Sequence, residues 1–200
     1  RGVEPDVISF NAAISACEKG SQWERALSLL EDMQSRGLKP DVISYNAAMS
    51  ACKRSAQWER ALSLLDEMQA RGLEPNVISF NAAISACKNA GRSERARSLL
   101  EEIPRRGLKP DVISFNTFIS ACEKGTQPED ALSVLDEMKL SGLEPDVISY
   151  NSAISACEKV GRWQEALALL DEMHARGPEP DVISFSAAIS ACEKAGRWEH

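Results

Sequence analysis

Histidine is nearly absent from this 200-residue chain: His174 and His200 are its two, and they stand in unmatched contexts. No nucleophile with a neighbouring base, no metal-ligand set and no glycine-rich phosphate loop appears beside them. Hydrolytic, metal-dependent and nucleotide-dependent chemistry therefore has nothing to work with, and neither a cofactor nor a small-molecule substrate is expected. Long hydrophobic runs are missing as well. No apolar stretch approaches the roughly 20 residues that cross a bilayer, so no membrane partner is expected. A basic excess is lacking: 23 Lys and Arg against 30 Asp and Glu leave a net charge of -7, which rules out gripping phosphates with the whole surface. Close Cys pairs are missing too. The six cysteines are spread singly, with no C-x-x-C that would suggest a metal site. An initiator Met, a signal peptide and a transit segment are also lacking, so the chain reads as part of a longer array and carries no address of its own.

What is present is a period. Pro5, Pro40, Pro75, Pro110, Pro145 and Pro180 recur every 35 residues, each followed by Asp or once by Asn, and the cysteines keep the same spacing from Cys17 to Cys192. One supersecondary unit per period, with no insertion or deletion, signals a solenoid whose units bury apolar surface against their neighbours. The array divides into the end of a preceding repeat at 1–6, five full repeats at 7–41, 42–76, 77–111, 112–146 and 147–181, and a partial sixth at 182–200. Equivalent residues in stacked repeats lie about 10 Å apart, too far for a disulfide. The cysteines are therefore read as buried, unpaired core thiols suited to a reducing compartment.

Within the first unit, Asp6 is a good N-cap, and Val7, Phe10, Ile14 and Cys17 follow at helical spacing, which predicts a helix A over 7–19. Gly20 breaks the pattern. Ser21 with Glu24 reads as a capping box for a helix B with an apolar stripe of Trp23, Ala26, Leu27, Leu30 and Met33, ending near Arg36. Gly37 supplies a left-handed cap and Pro40 prevents continuation. The fold class is all-α, an α-solenoid of 35-residue helix-turn-helix repeats. Acidic residues such as Glu31 and Glu59 fall away from the stripe and are expected to solvate the outer face.

One polar residue of helix A does not fit a core: Asn11, Asn46, Asn81, Asn116 and Asn151, identical in all five full units. Asn is a poor helix-interior residue because it competes for backbone hydrogen bonds. Either these amides form a ladder between neighbouring helices A, or they face a ligand of matching period.

The unit closely resembles the pentatricopeptide repeat family: 35 residues, the opening V-I-S-(F/Y)-N-x-x-(I/M)-S-A-C, a second helix with E-x-A-L-x-L-L-x-E-M and the ending G-L-x-P-D, over essentially the whole chain. The resemblance implies a right-handed superhelix that binds single-stranded RNA one base per repeat, read by the fifth and last residues of each unit. By position these are Asn11 with Asp41, Asn46 with Asn76, Asn81 with Asp111, Asn116 with Asp146, and Asn151 with Asp181. In the family the Asn-Asp pair favours uracil and Asn-Asn favours cytosine or uracil, and the array runs parallel to RNA. The implied site is 5′-U-Y-U-U-U-3′, with Y for cytosine or uracil, so the implied partner is U-rich RNA. The resemblance further implies a chloroplast or mitochondrial protein acting in organellar RNA processing, stability or translation.

The second residue of each unit, Ile8, Ile43, Ile78, Ile113, Ile148 and Ile183, is implied to sit between bases, with core packing equally open from the residues alone. Lys19, Arg54, Lys124, Lys159 and Lys194, with Lys53 and Lys88 adjoining, are the candidate phosphate contacts, a basic stripe on an otherwise acidic molecule. Ser93 and Arg97 interrupt the apolar stripe of unit three and Pro104 falls near its end, so that unit is expected to be the softest point. The alternative function is a protein-binding solenoid of tetratricopeptide-like type. Uncapped repeat ends leave self-association open.

Overall fold

The computed structural model describes residues 4–197. Asp6 opens the first helix by accepting the backbone N–H of Ser9 at 2.9 Å, and the chain then alternates two kinds of helix. The A helices are α1 (Val7–Lys19), α3 (Val42–Arg54), α5 (Val77–Asn89), α7 (Val112–Gly125), α9 (Val147–Lys159) and α11 (Val182–Lys194). The B helices are α2 (Trp23–Ser35), α4 (Trp58–Ala70), α6 (Ser93–Arg105), α8 (Pro128–Leu140) and α10 (Trp163–Arg176). No strand occurs among the described residues.

Each A helix packs on the A helices before and after it, and each B helix packs on its own A helix and on the next one. Backbones of successive B helices stay apart. Closer spacing in the A layer than in the B layer bends the stack, with A helices lining the inside of the bend. Small residues allow the close A approach: Ala47, Ala51, Ala82, Ala86 and Ala121 are all buried, as are the six cysteines. Burial raises the thiol of Cys122 to about 12 and those of Cys52, Cys87 and Cys157 to about 11, so these sulfurs are inert core atoms. The Phe or Tyr at the fourth place of the unit and the Met or Ile late in helix B complete the core, from Phe10 and Met33 to Tyr150 and Met173.

The A-to-B turn differs from its expected form. Ser21 is not an N-cap: it sits at φ 55, in the left-handed region, as do Ala56 and Thr126 at the same place in their units. Gln22 N–H returns to the Cys17 carbonyl at 2.9 Å and Ser21 N–H to Glu18, so the turn is fixed by the end of helix A; the N-cap positions of the B helices, Gln22, Gln57, Arg92, Gln127 and Arg162, make no side-chain cap bond. The B-to-A turn follows expectation, with Gly37 at φ +74.

Unit three is not visibly loosened. Ala96, Leu99, Leu100 and Ile103 of α6 are buried like their counterparts, and Pro104 falls in the last turn, where the helix still runs on to Arg105. Arg97 has partners: its guanidinium reaches Glu101 at 2.8 Å and Glu137 at 3.4 Å, and lies 5.7 Å from the centroid of the Phe118 ring. Phe118 occupies a place held by Ala in the other units and is fully buried, so unit four supplies volume that unit three lacks. Arg97 Nη1 and Gln127 Oε1 are both buried without a hydrogen-bond partner among the described residues, and these are costs that remain at that junction.

Candidate functional site

The N-terminal turns of the A helices form one edge of the inner layer. The last residue of each unit is the N-cap of the next A helix. Asp41, Asn76, Asp111, Asp146 and Asp181 each accept the N–H of the Ser three residues on, and that Ser hydroxyl accepts the N-cap N–H, a reciprocal capping box. The same side chains reach backward. Asn11 Nδ2 donates to Asp41 at 3.2 Å, Asn46 to Asn76 at 3.4 Å, Asn81 to Asp111 at 3.1 Å, Asn116 to Asp146 at 3.0 Å and Asn151 to Asp181 at 3.0 Å. The structure thus brings together all five pairs named from the sequence.

It also adds a member that sequence reasoning missed. Ser44, Ser79, Ser114, Ser149 and Ser184 place their hydroxyls 2.5 to 2.7 Å from the carbonyl oxygen of the preceding unit's Asn. The signal was in plain view as the S of V-I-S, but an N3 serine is accounted for by helix capping alone. The ladder alternative is therefore realised, and it leaves the amides capable of more. In most units these contacts use one N–H and one lone pair of an amide that has two of each, and the Asn side chains are half-buried rather than enclosed.

Electrostatics favour the charged form of Asp41, Asp111 and Asp181. Burial opposes the charge on Asp41 and Asp111, but the backbone N–H of Ser44 or Ser114 and the amide of Asn11 or Asn81 act against it, and both carboxyls lie below their usual value. At Asp181 the Ser184 N–H leads and Asn151 adds to the same lowering.

Beside each amide stands an exposed isoleucine. Ile8 is 76% exposed, and Ile43, Ile78, Ile113, Ile148 and Ile183 lie between 61 and 62%, so none of them belongs to the core. β-branched side chains held stiffly by their helices and largely exposed at constant spacing form an apolar row that the described residues leave uncovered.

The basic candidates sit on the opposite edge, about 12 Å further along each A helix from the rise of 1.5 Å per residue. They are not a uniform stripe. Lys159 pairs with Glu123 at 3.3 Å and Lys194 with Glu158 at 2.5 Å, each one unit back, and Lys53 lies 4.0 Å from Glu18. Arg54 donates to the Lys19 carbonyl at 3.3 Å and Lys124 to Asn89 at 3.4 Å. Burial first, with Lys124 and Lys53 adding, lowers the Lys88 ammonium below its usual value despite Glu123. Among the described residues no His, Cys, Asp and Glu cluster could hold a metal ion, and no helix is long and apolar enough to cross a membrane.

Comparison with known proteins agrees with this architecture. The pentatricopeptide repeat domain profile matches residues 63–125, the PPR repeat family profile matches 5–54, 110–159 and 145–194, and the PPR repeat profile matches 43–73. No curated protein matches by sequence. Among solved structures, the pentatricopeptide repeat protein PPR10 from maize superposes with a TM-score of 0.80 at 29% identity over 96% of this chain. PPR10 in complex with an 18-nt psaJ RNA element superposes at 0.75 with 28% identity over 99%. This chain spans about a quarter of those proteins, 28% and 27% of their lengths. The PPR domain of Arabidopsis thaliana protein-only RNase P 1, in complex with tRNA, shares the fold at a TM-score of 0.74 with 14% identity over 94% of this chain and 95% of that one.

Proposed function

The chain belongs to the pentatricopeptide repeat family, and from that premise we propose that it binds single-stranded RNA, one base to each of the units 7–41, 42–76, 77–111, 112–146 and 147–181. The observation that carries the proposal is the coincidence of two rows: amides held in orientation by their neighbours, and exposed isoleucines at the same spacing. Planar bases slide between successive isoleucines, which cover their faces, while each amide meets the edge of one base. Uracil offers an imide N–H between two carbonyl oxygens, and the spare donor and lone pair of an Asn amide complement that edge.

Asp at the last place is acceptor-only and fixes the amide with its N–H toward the cap. Asn76 does so less firmly, at the longest contact of the five, so cytosine is tolerated at the second base. The site is 5′-U-Y-U-U-U-3′, with the first repeat toward the 5′ end. Lys19, Arg54, Lys88 and Lys124, which have no ion pair to a carboxylate among the described residues, contact phosphates. Lys159 and Lys194 contribute after exchanging a carboxylate for a phosphate.

The protein acts by binding rather than catalysis, in RNA processing, stability or translation within a chloroplast or mitochondrion, as a right-handed superhelix.

The test of the reading is selection from a randomised RNA pool with the purified 200-residue chain, followed by titration of oligo-U, oligo-A and oligo-G. A pyrimidine-rich consensus of five bases with oligo-U bound tightest is expected; equal binding of oligo-A and oligo-U defeats it.

A further inference from the structure

Resting on that reading, we propose that the buried serine at the third place of each unit, Ser44, Ser79, Ser114, Ser149 and Ser184, is a positioning residue for the base reader of the unit before it. Each reading head is thereby split between two repeats.

The argument is one of proton placement. Ser44 Oγ accepts the Asp41 N–H at 3.1 Å and lies 2.6 Å from Asn11 Oδ1 and 2.9 Å from Asp41 Oδ1, yet a hydroxyl has one proton to give. Asp41 Oδ1 already receives the Ser44 N–H and the Asn11 amide. If the hydroxyl proton went to Asp41 as well, two oxygens would face each other at 2.6 Å with nothing between them. Turning the Asn11 amide over would not relieve this, because its carbonyl would then face an acceptor-only carboxylate. The proton therefore lies between Ser44 and Asn11, in the shorter contact. The same distances repeat at Ser79, Ser114, Ser149 and Ser184, all fully buried; at Ser79 the cap is Asn76, whose Oδ1 is fixed as the facing acceptor by the Ser79 N–H at 3.1 Å.

The consequence is that the cap residue holds one end of the amide and the serine holds the other. The plane of the amide, and so the edge its spare donor and lone pair present, is set by both. At Asn46 the cap contact is 3.4 Å and the serine contact 2.6 Å, so there the serine is the principal restraint. Removing a hydroxyl leaves the amide hinged at a single bond and free to swing about its terminal torsion, which is intrinsically broad.

This assigns an offset that a purely structural serine would not show. Ser114→Ala, a change in unit four, should reduce discrimination at the third base, read by Asn81, by about three- to tenfold, the worth of one hydrogen bond. Discrimination at the other four positions should stand. The measurement is competition binding of the 200-residue chain with RNAs varied one base at a time. Ser149→Ala should move the loss to the fourth base, and Ser114→Thr, which retains the hydroxyl, should restore discrimination at the third.

Ser9→Ala removes a hydroxyl at the same place of α1, where this chain has no preceding Asn, and should lower stability without altering preference at any base. Without RNA, the Asn81 side-chain amide resonances should shift and sharpen toward free rotation in Ser114→Ala; this second measurement decides the matter where an alanine variant is too unstable to titrate. Loss at the fourth base in Ser114→Ala, a uniform loss at all five, or unchanged discrimination with unmoved Asn81 resonances overturns the inference while leaving the base-reading proposal intact. A wild-type chain without base preference defeats that earlier proposal, and this one with it, before any variant is made.

Discussion

The two edges of the inner layer are built from the same six helices yet obey different rules. At the N-terminal edge every full unit carries the same Ile and Asn and the next unit the same Ser, with one Asn76 among four Asp caps, and every contact repeats within a few tenths of an ångström. At the C-terminal edge the residues vary: Glu18 and Lys19 in unit one, Lys53 and Arg54 in unit two, Lys88 and Asn89 in unit three, Glu123 and Lys124 in unit four. Their pairings vary with them. A site that must hold a planar amide tolerates no variation, because orientation depends on every partner. A site that offers charge to a flexible phosphate chain tolerates a good deal, since Coulomb attraction has little angular demand. The contrast fits the proposed reading, in which one edge is the reader and the other the holder.

The largest expected effect breaks the reader edge at one unit. Asn116→Ala should cost about 1 to 3 kcal/mol of discrimination, by analogy with other base-reading pairs, at the fourth base alone, as checked by competition with singly varied RNAs. Equal loss at all positions would instead report a folding defect. Next, Asn76→Asp makes the one irregular cap like the other four, and should shift the second base from tolerance of cytosine toward uracil by about 1 kcal/mol; an unchanged cytosine-to-uracil ratio contradicts the role given to that cap.

On the holder edge the expected differences are smaller and concern salt. Lys124→Gln should flatten the logarithmic dependence of affinity on salt by about one unit for all RNAs alike. Lys159→Gln, whose ammonium is already paired with Glu123, should flatten it less. Identical slopes for the two variants would mean that the carboxylate gives way at no cost.

The smallest effect is on stability in acid. Asp41 and Asp111 have folded values below the usual carboxylate range, so their contribution is fully present above about pH 4, the unfolded value, and is lost as pH falls through the folded ones. Acid titration of the wild type against Asp41→Asn with Asp111→Asn should show the variant losing less stability between neutral and strongly acidic pH.

Most of the scaffold was legible in the chain. The 35-residue period, the 7–19 span of the first A helix, the left-handed Gly37 and the N-cap at Asp6 rest on local rules about caps, apolar spacing and φ, which act within a few residues. The places where reading failed were those where neighbours decide. Ser21 and Glu24 fit a capping box by spacing, but the closing bond from Gln22 to the Cys17 carbonyl puts Ser21 in the left-handed region instead. Arg97 interrupts a leucine stripe, and only the next unit's Phe118 and Glu137 explain how it is accommodated.

The chain by itself therefore determined the repeat, the helices and which residue types recur at which place, because periodicity and capping are properties of consecutive residues. The tertiary structure alone decided what those residues face: Ile8 and its counterparts outward rather than inward, Lys159 and Lys194 onto carboxylates one unit back, and each Asn clamped between a cap and a serine some thirty residues further along. Such contacts depend on how closely one helix is laid beside the next, and that spacing is set by the packing of Ala and Cys between the A helices rather than by any local rule.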